Sequence, residues 1–306
     1  MSVLQIKDLT KKFGKFTALN GVNFEVNEGE VFGFIGPNGA GKSTTIRILL
    51  GILKATEGEV EIFGKDAWSD AVELHKRIAY VPGDVNLWPN LTGGEVIDLF
   101  VKLRGGNDTS RREELIKRFD LDPSKKCRTY SKGNRQKVAL VAAFSSKADL
   151  YILDEPTSGL DPLMEQIFQQ CVQEAKEAGK SILLSSHILS EVEQLCDRVG
   201  IIRQGQMIET GSLNELRHLT RMNLLLVTKE PITQLHELNG IHAITEKDGA
   251  LSFQVDTEQL DTVIKHVSQF GIIKLESTPP TLEDLFMRHY EKKGQKEQNQ
   301  GGNPND

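Results

Sequence analysis

The segments 3–9, 22–26 and 31–35 are rich in apolar and β-favouring residues, and turn-forming residues at 27–29 and 55–58 punctuate them. A helix-compatible run at 44–53 leads to a further expected strand at 59–63. The period then changes: apolar positions recur at helical spacing over 92–103, 111–119 and 134–146. Strand patterning returns at 150–153, followed by a helix at 164–178, a strand at 181–185 and a short helix at 189–196. Paired strands at 199–202 and 207–209 and a closing helix at 213–218 complete this part. Strands alternating with helices imply an α/β sheet, into which the three helical stretches of 83–147 are inserted. The first domain is expected to span 1–221.

A second pattern begins there, with strand 224–228, helix 232–238, strands 242–246 and 251–255, helix 257–270 and strand 272–276. The order β-α-β-β-α-β predicts a small α+β, ferredoxin-like domain over 222–290, with a last helix at 281–290. Residues 291–306 are polar and rich in Gly, Gln and Asn, the composition of a disordered tail.

Composition narrows the classes. Of 306 residues, 38% are apolar and 26% charged, a soluble globular balance, and the net charge of -6 does not favour nucleic acid as a partner. The longest apolar stretches, such as 138–144, fall far short of the roughly 20 residues needed to span a bilayer. The first residues carry no secretory pattern, and Cys127, Cys171 and Cys196 have neither metal-ligand nor disulfide spacing, which suits a reducing cytosol.

Residues 36–43 read GPNGAGKS and match a GxxxxGKS phosphate-binding loop between an apolar strand and a helix. Close wrapping of the backbone around phosphate oxygens requires glycines, and the following helix turns its positive end toward the anion. Gly36, Pro37, Asn38, Gly39, Ala40, Gly41, Lys42, Ser43 and Thr44 are therefore the expected nucleotide cradle. Lys42 is expected to reach the β- and γ-phosphates and the Ser43 hydroxyl to coordinate Mg2+. Downstream, LYILD delivers Asp154 at a strand end, with Glu155 next to it. Asp154 suits Mg2+ binding through water, and Glu155 suits polarisation of the attacking water.

With YSKGN at 130–134, DEPTSGLDP at 154–162 and His187 following in order, the chain resembles the ATPase subunit of an ATP-binding cassette (ABC) transporter over roughly 4–219. The resemblance implies ATP and Mg2+ as ligands and a second cassette as partner, with a homodimer as the expected form. Ser131, Gly133 and Asn134 would contact the γ-phosphate held by the opposite subunit, and Asp161 would link the two composite sites. His187 would bond the γ-phosphate and hold Glu155 and water in line. Phe13 matches the adenine-stacking aromatic, with Phe16 as the nearby alternative.

Two departures stand out. Lys132 replaces the first signature glycine and adds a candidate anion contact, while Asn134 replaces the terminal glutamine and keeps an amide donor. Gly83 stands where the family carries a metal-linking glutamine; Asp84 is the candidate substitute for metal binding, with a surface turn as the alternative. LTG after that region and STPPTLEDLF near the end resemble exporters of the ABC-2 type. The expected function is ATP hydrolysis powering export through a separately encoded multi-helix permease, at the inner face of the cell membrane. The alternatives are a regulatory or assembly ATPase acting on a soluble partner and a module that keeps nucleotide without turnover.

Overall fold

The computed structural model describes residues 1–105, 109–218, 221–247 and 249–278. Its centre is a six-stranded sheet in the order Gln206–Ser212, Arg198–Arg203, Val31–Ile35, Ser181–Ser186, Leu150–Asp154, Ile78–Val81. Val31–Ile35 runs parallel to both its neighbours, and the pairs out to Ile78–Val81 are parallel as well. Covered on both faces, such strands read as continuous apolar runs, and all five residues of Val31–Ile35 are buried.

A second, antiparallel sheet is built on the hairpin of Ser2–Phe13 and Phe16–Asn27, with Glu57–Ile62 on the other side of the first strand. Both hairpin strands extend beyond the expected 3–9 and 22–26, because polar residues such as Lys11 and Lys12 pair in the ladder without being buried. One core joins the two sheets. Leu4, Ile6 and Phe24 from the hairpin meet Phe32 and Phe34 from the central sheet and Ile46 and Leu49 from helix Lys42–Leu49. The Phe24 ring stacks on Phe32 at 5.2 Å.

The insertion is helical, as expected. Helix Gly93–Leu103 starts from a capping box in which Thr92 and Glu95 exchange hydrogen bonds, worth about 1 kcal/mol. Helices Thr109–Arg118 and Lys132–Phe144 complete it. Small elements escaped the sequence pattern, among them helix Ala71–Leu74 and strand Ile78–Val81. Each of these two has four residues, too few for a period to register.

The edge of the central sheet where its strands begin is closed by fastening bonds. Val31 N–H donates to Asp197 Oδ2 at 3.0 Å, and Lys176 holds Oδ1 of the same carboxylate at 2.5 Å. Lys180 pairs with Asp149 at 3.0 Å and Arg198 with Glu30 at 3.2 Å. Between Lys176 and Lys180 the chain leaves helix Pro162–Glu177 and turns back toward the sheet through exposed residues 178–179.

The chain divides into compact units 1–211 and 212–306, so that helix Leu213–His218 goes with the second unit, ahead of the expected boundary at 221. In the second unit four antiparallel strands lie in the order Ile241–Lys247, Ala250–Asp256, Arg221–Thr228, Ile272–Thr278, which is ferredoxin-like. Its core is Leu224, Leu226, Phe253 and Val255 under Val263 and Val267 of helix Leu260–Ser268. The expected helix at 232–238 is reduced to one 3-10 turn, Leu235–Glu237. The expected helix at 281–290 and the tail at 291–306 lie outside the described residues. Among the described residues no helix is long and apolar enough to cross a membrane.

Candidate active site

Register gathers the chemistry. Ile35 pairs with Ser186, and Asp154 with Ser185, so the loops after three adjacent strands leave the sheet side by side. Those loops carry Gly36 to Lys42, Glu155 and His187.

Gly36 is buried so tightly against the Ile202 carbonyl that no side chain fits there. Gly41, at φ 116°, adopts a conformation open to glycine, and a Cβ would strike Leu19. Ala40 is buried beneath the loop, its N–H bonded to the Pro37 carbonyl. Above lies a cleft of about 330 Å³ lined by Phe16, Ala18, Pro37, Asn38, Gly39, Gly41, Lys42, Ser43, Thr44 and Glu155. Phe13 falls outside this lining: its ring sits under the Lys11 ammonium at 5.1 Å, while Phe16 faces the cleft. Residues 13 and 16 face each other at the hairpin end, on opposite strands, and only the second reaches the loop.

Lys42 is buried, and its Nζ donates to the Gly36 carbonyl at 2.6 Å with Glu155 Oε1 at 3.9 Å. Burial pulls the ammonium's pKa down, against the opposing pull of Glu155 and Asp154. Ser43 Oγ donates to Asp154 Oδ2 at 3.4 Å. Asp154 Oδ1 is buried without a hydrogen bond of good geometry, although the Ser185 hydroxyl is near enough to ease its charge, and burial pushes this carboxyl's pKa up. An unpartnered buried carboxylate oxygen beside a hydroxyl is a cation-ready donor set.

Glu155 sits at φ 48°, a left-handed conformation that costs a non-glycine residue on the order of 1–3 kcal/mol. Its N–H donates to Ser185 O at 2.8 Å and its carbonyl accepts from Ser158 N–H at 3.1 Å, which fixes the turn from both ends. His187 Nδ1 lies 3.3 Å from Glu155 Oε1. Behind it Ser186 Oγ donates to buried Glu191 at 2.7 Å and accepts from Ile188 N–H at 3.0 Å. Glu191 was not singled out from sequence; its spacing in SHILSE, five residues after Ser186 on the following helix, was the available signal.

Four expected residues belong to a different place in the chain's own structure. Ser131 caps helix Lys132–Phe144 through Asn134 N–H at 3.3 Å, Gly133 abuts the Gly159 carbonyl, and Asp161 caps helix Pro162–Glu177 through Met164 N–H at 3.0 Å. None of Ser131, Gly133, Asn134 and Asp161 lines the cleft. Asp84 is exposed and also lies outside the lining. At Gly83 a Cβ would stand 3.1 Å from the Asp154 carbonyl, so the backbone itself presses on the strand end that carries Asp154 and Glu155.

On another face an apolar groove of about 480 Å³ is lined by Leu50, Ile52, Val72, Tyr80, Phe100 and Leu103 among others. Trp88 is 52% exposed and its ring lies 6.1 Å from Phe100, while Leu87 is half-buried.

A family model described as ABC transporter matches residues 19–158, and one described as the C-terminal domain of DrrA1-3-like ATP-binding proteins matches 211–290. The chain is 31% identical over 303 residues to the bacitracin transport ATP-binding protein BcrA of Bacillus licheniformis, covering 94% of this chain and 97% of that one. A solved ATP-binding subunit of an ABC transporter superposes with a TM-score of 0.67 at 34% identity, over 71% of this chain and 93% of that one. A dimeric ATP-binding cassette in a post-hydrolysis state, bound to ADP and Pi, gives 0.62 at 28% identity, over 69% and 98%.

Proposed function

This chain belongs to the ABC transporter ATP-binding proteins, and we propose that it powers export through a separately encoded membrane permease, as a homodimer held at the inner face of the cell membrane. It is an ATPase, converting ATP and water to ADP and phosphate. The observation that carries the mechanism is the convergence of Lys42, Ser43, Asp154, Glu155 and His187 on one edge of one sheet.

Residues Gly36 to Thr44 wrap the triphosphate, with Lys42 exchanging the Gly36 carbonyl for phosphate oxygens. Phe16 stacks on the adenine, replacing Phe13 in that role. Ser43 and Asp154 would hold Mg2+, which the unpartnered Asp154 Oδ1 fits; Asp84, exposed outside the cleft, is not needed for it. Mg2+ supplies charge neutralisation at the β- and γ-phosphate oxygens when bound. Glu155 accepts a hydrogen bond from the attacking water and draws off its proton, and His187 keeps that carboxylate oriented.

Ser131, Gly133 and Asn134 lie away from the chain's own cleft and so are available to a γ-phosphate held by a second copy, with Asp161 at the same interface. The dimeric state of a solved cassette supports this pairing. The apolar groove with Trp88 beside it suits a cytoplasmic helix of the permease. A transport role is supported by relatives such as BcrA, a bacitracin transport ATP-binding protein, and by the match to the DrrA1-3-like C-terminal domain of ATP-binding proteins.

The test is the mass of the full-length Glu155→Gln variant with ATP and Mg2+. A stable dimer that wild type forms only transiently is expected; a monomer with ATP bound overturns the shared-site reading.

A further inference from the structure

We propose that Lys132 is a positioning residue for hydrolysis, acting through Ser158 on the turn that holds Glu155. The role extends the reading of Glu155 as the water-polarising group and rests on it.

Three ties fasten the first turn of helix Lys132–Phe144 to the loop that follows Glu155. The Lys132 ammonium donates to Ser158 Oγ at 2.7 Å. Its stem passes over Gly159, where an added Cβ would already stand 3.4 Å from the lysine Cδ. The backbone of Gly133 meets the Gly159 carbonyl without room for a side chain, and buried Gln136 Nε2 donates to the Pro156 carbonyl at 2.9 Å.

Ser158 is also the residue whose N–H closes the turn onto the Glu155 carbonyl at 3.1 Å. Lys132 therefore holds the far end of a turn whose near end is a carboxylate residue in a costly left-handed conformation. Such a conformation persists only where its surroundings over-determine it, and an ammonium on the Ser158 hydroxyl adds one constraint that a glycine at 132 would lack. The ammonium is directed at the chain's own loop, which favours this role over that of a phosphate ligand for a second copy.

The experiment is steady-state phosphate release by the full-length chain over a range of ATP concentrations, with melting temperatures as the folding control. Lys132→Met is expected to lower kcat about tenfold at unchanged KM, the scale of one lost hydrogen bond to a charged group. Lys132→Arg is expected to restore most of the rate. Ser158→Ala should reproduce the loss, and the double variant should be no slower than either single one. In the Glu155→Gln background, Lys132→Met should leave the ATP concentration needed for dimer formation unchanged. A shift in that concentration with Lys132→Met but not Ser158→Ala would make Lys132 a phosphate ligand and overturn the proposal, as would an unchanged kcat in both single variants. Full turnover in Glu155→Gln alone would instead overturn the assignment of Glu155.

Discussion

Lys42, Glu155 and His187 meet within a few ångströms, yet their loss should produce different failures. Lys42→Ala is expected to weaken ATP binding by roughly 10–100-fold, the range for charge-assisted hydrogen bonds. His187→Ala should leave binding near wild type and lower kcat by about 100-fold, since it orients the base without being the base. Equilibrium nucleotide binding and phosphate release on the same preparations separate the two. Asp154 makes the opposing demands of stability and function visible at one atom. Its buried, half-satisfied carboxylate destabilises the nucleotide-free fold, so Asp154→Asn should raise the melting temperature by roughly 2–4 °C, the equivalent of about 1 kcal/mol in a domain of this size. The same variant should lose most of the thermal shift that ATP with Mg2+ gives wild type; a full shift would count against Asp154 as a metal ligand. These residues were legible because each follows a short apolar strand in a fixed motif. That Phe16 and not Phe13 lines the cleft was not, because it depends on which way a hairpin end turns, and both rings satisfy the same aromatic pattern.

Elements with a strong period were read well, and those held by their neighbours were not. Helix Gly93–Leu103 carries its own capping box, so its start is written in the chain. Strand Ile78–Val81 exists because Leu150–Asp154 offers it a parallel partner, a long-range fact that four residues cannot announce. The expected helix at 232–238 shrank to a single turn, since Leu235 reaches the small core from there without a longer helix. Gly83, which first reads as a lost side chain, proves to be a close backbone contact with the Asp154 carbonyl, invisible without the fold. Five residues further along, the exposed Trp88 ring lies 6.1 Å from Phe100. Trp88→Ala is expected to weaken permease binding, or permease-stimulated ATPase activity, by about tenfold, the cost of an aromatic anchor, while basal ATP binding stays unchanged. Unchanged stimulation in a folded complex would remove Trp88 from that contact.

At the scale of the molecule, two compact units each own a core, and every residue assigned to ATP chemistry precedes Gly205. A chain ending at Gly211 should therefore keep ATP binding within about threefold of the full chain, while pairing or permease attachment changes. Loss of binding in the folded fragment, measured by the same titration, would mean that residues beyond 211 contribute to the site. The α/β class and the ferredoxin-like order were both readable from alternation, but the division at 211 was not, because helix Leu213–His218 fits either unit by pattern alone. The fastened edge of the central sheet has a practical consequence. Parallel strands deliver all their reactive loops in one direction, so the turn at 178–179 lies a strand's length, roughly 15–20 Å, from Glu155 and His187. It is a natural grafting point: a short flexible peptide carrying a fluorophore, inserted there, should leave ATP turnover within about twofold of wild type. Such a reporter would follow the molecule through its cycle from a position the cycle does not touch.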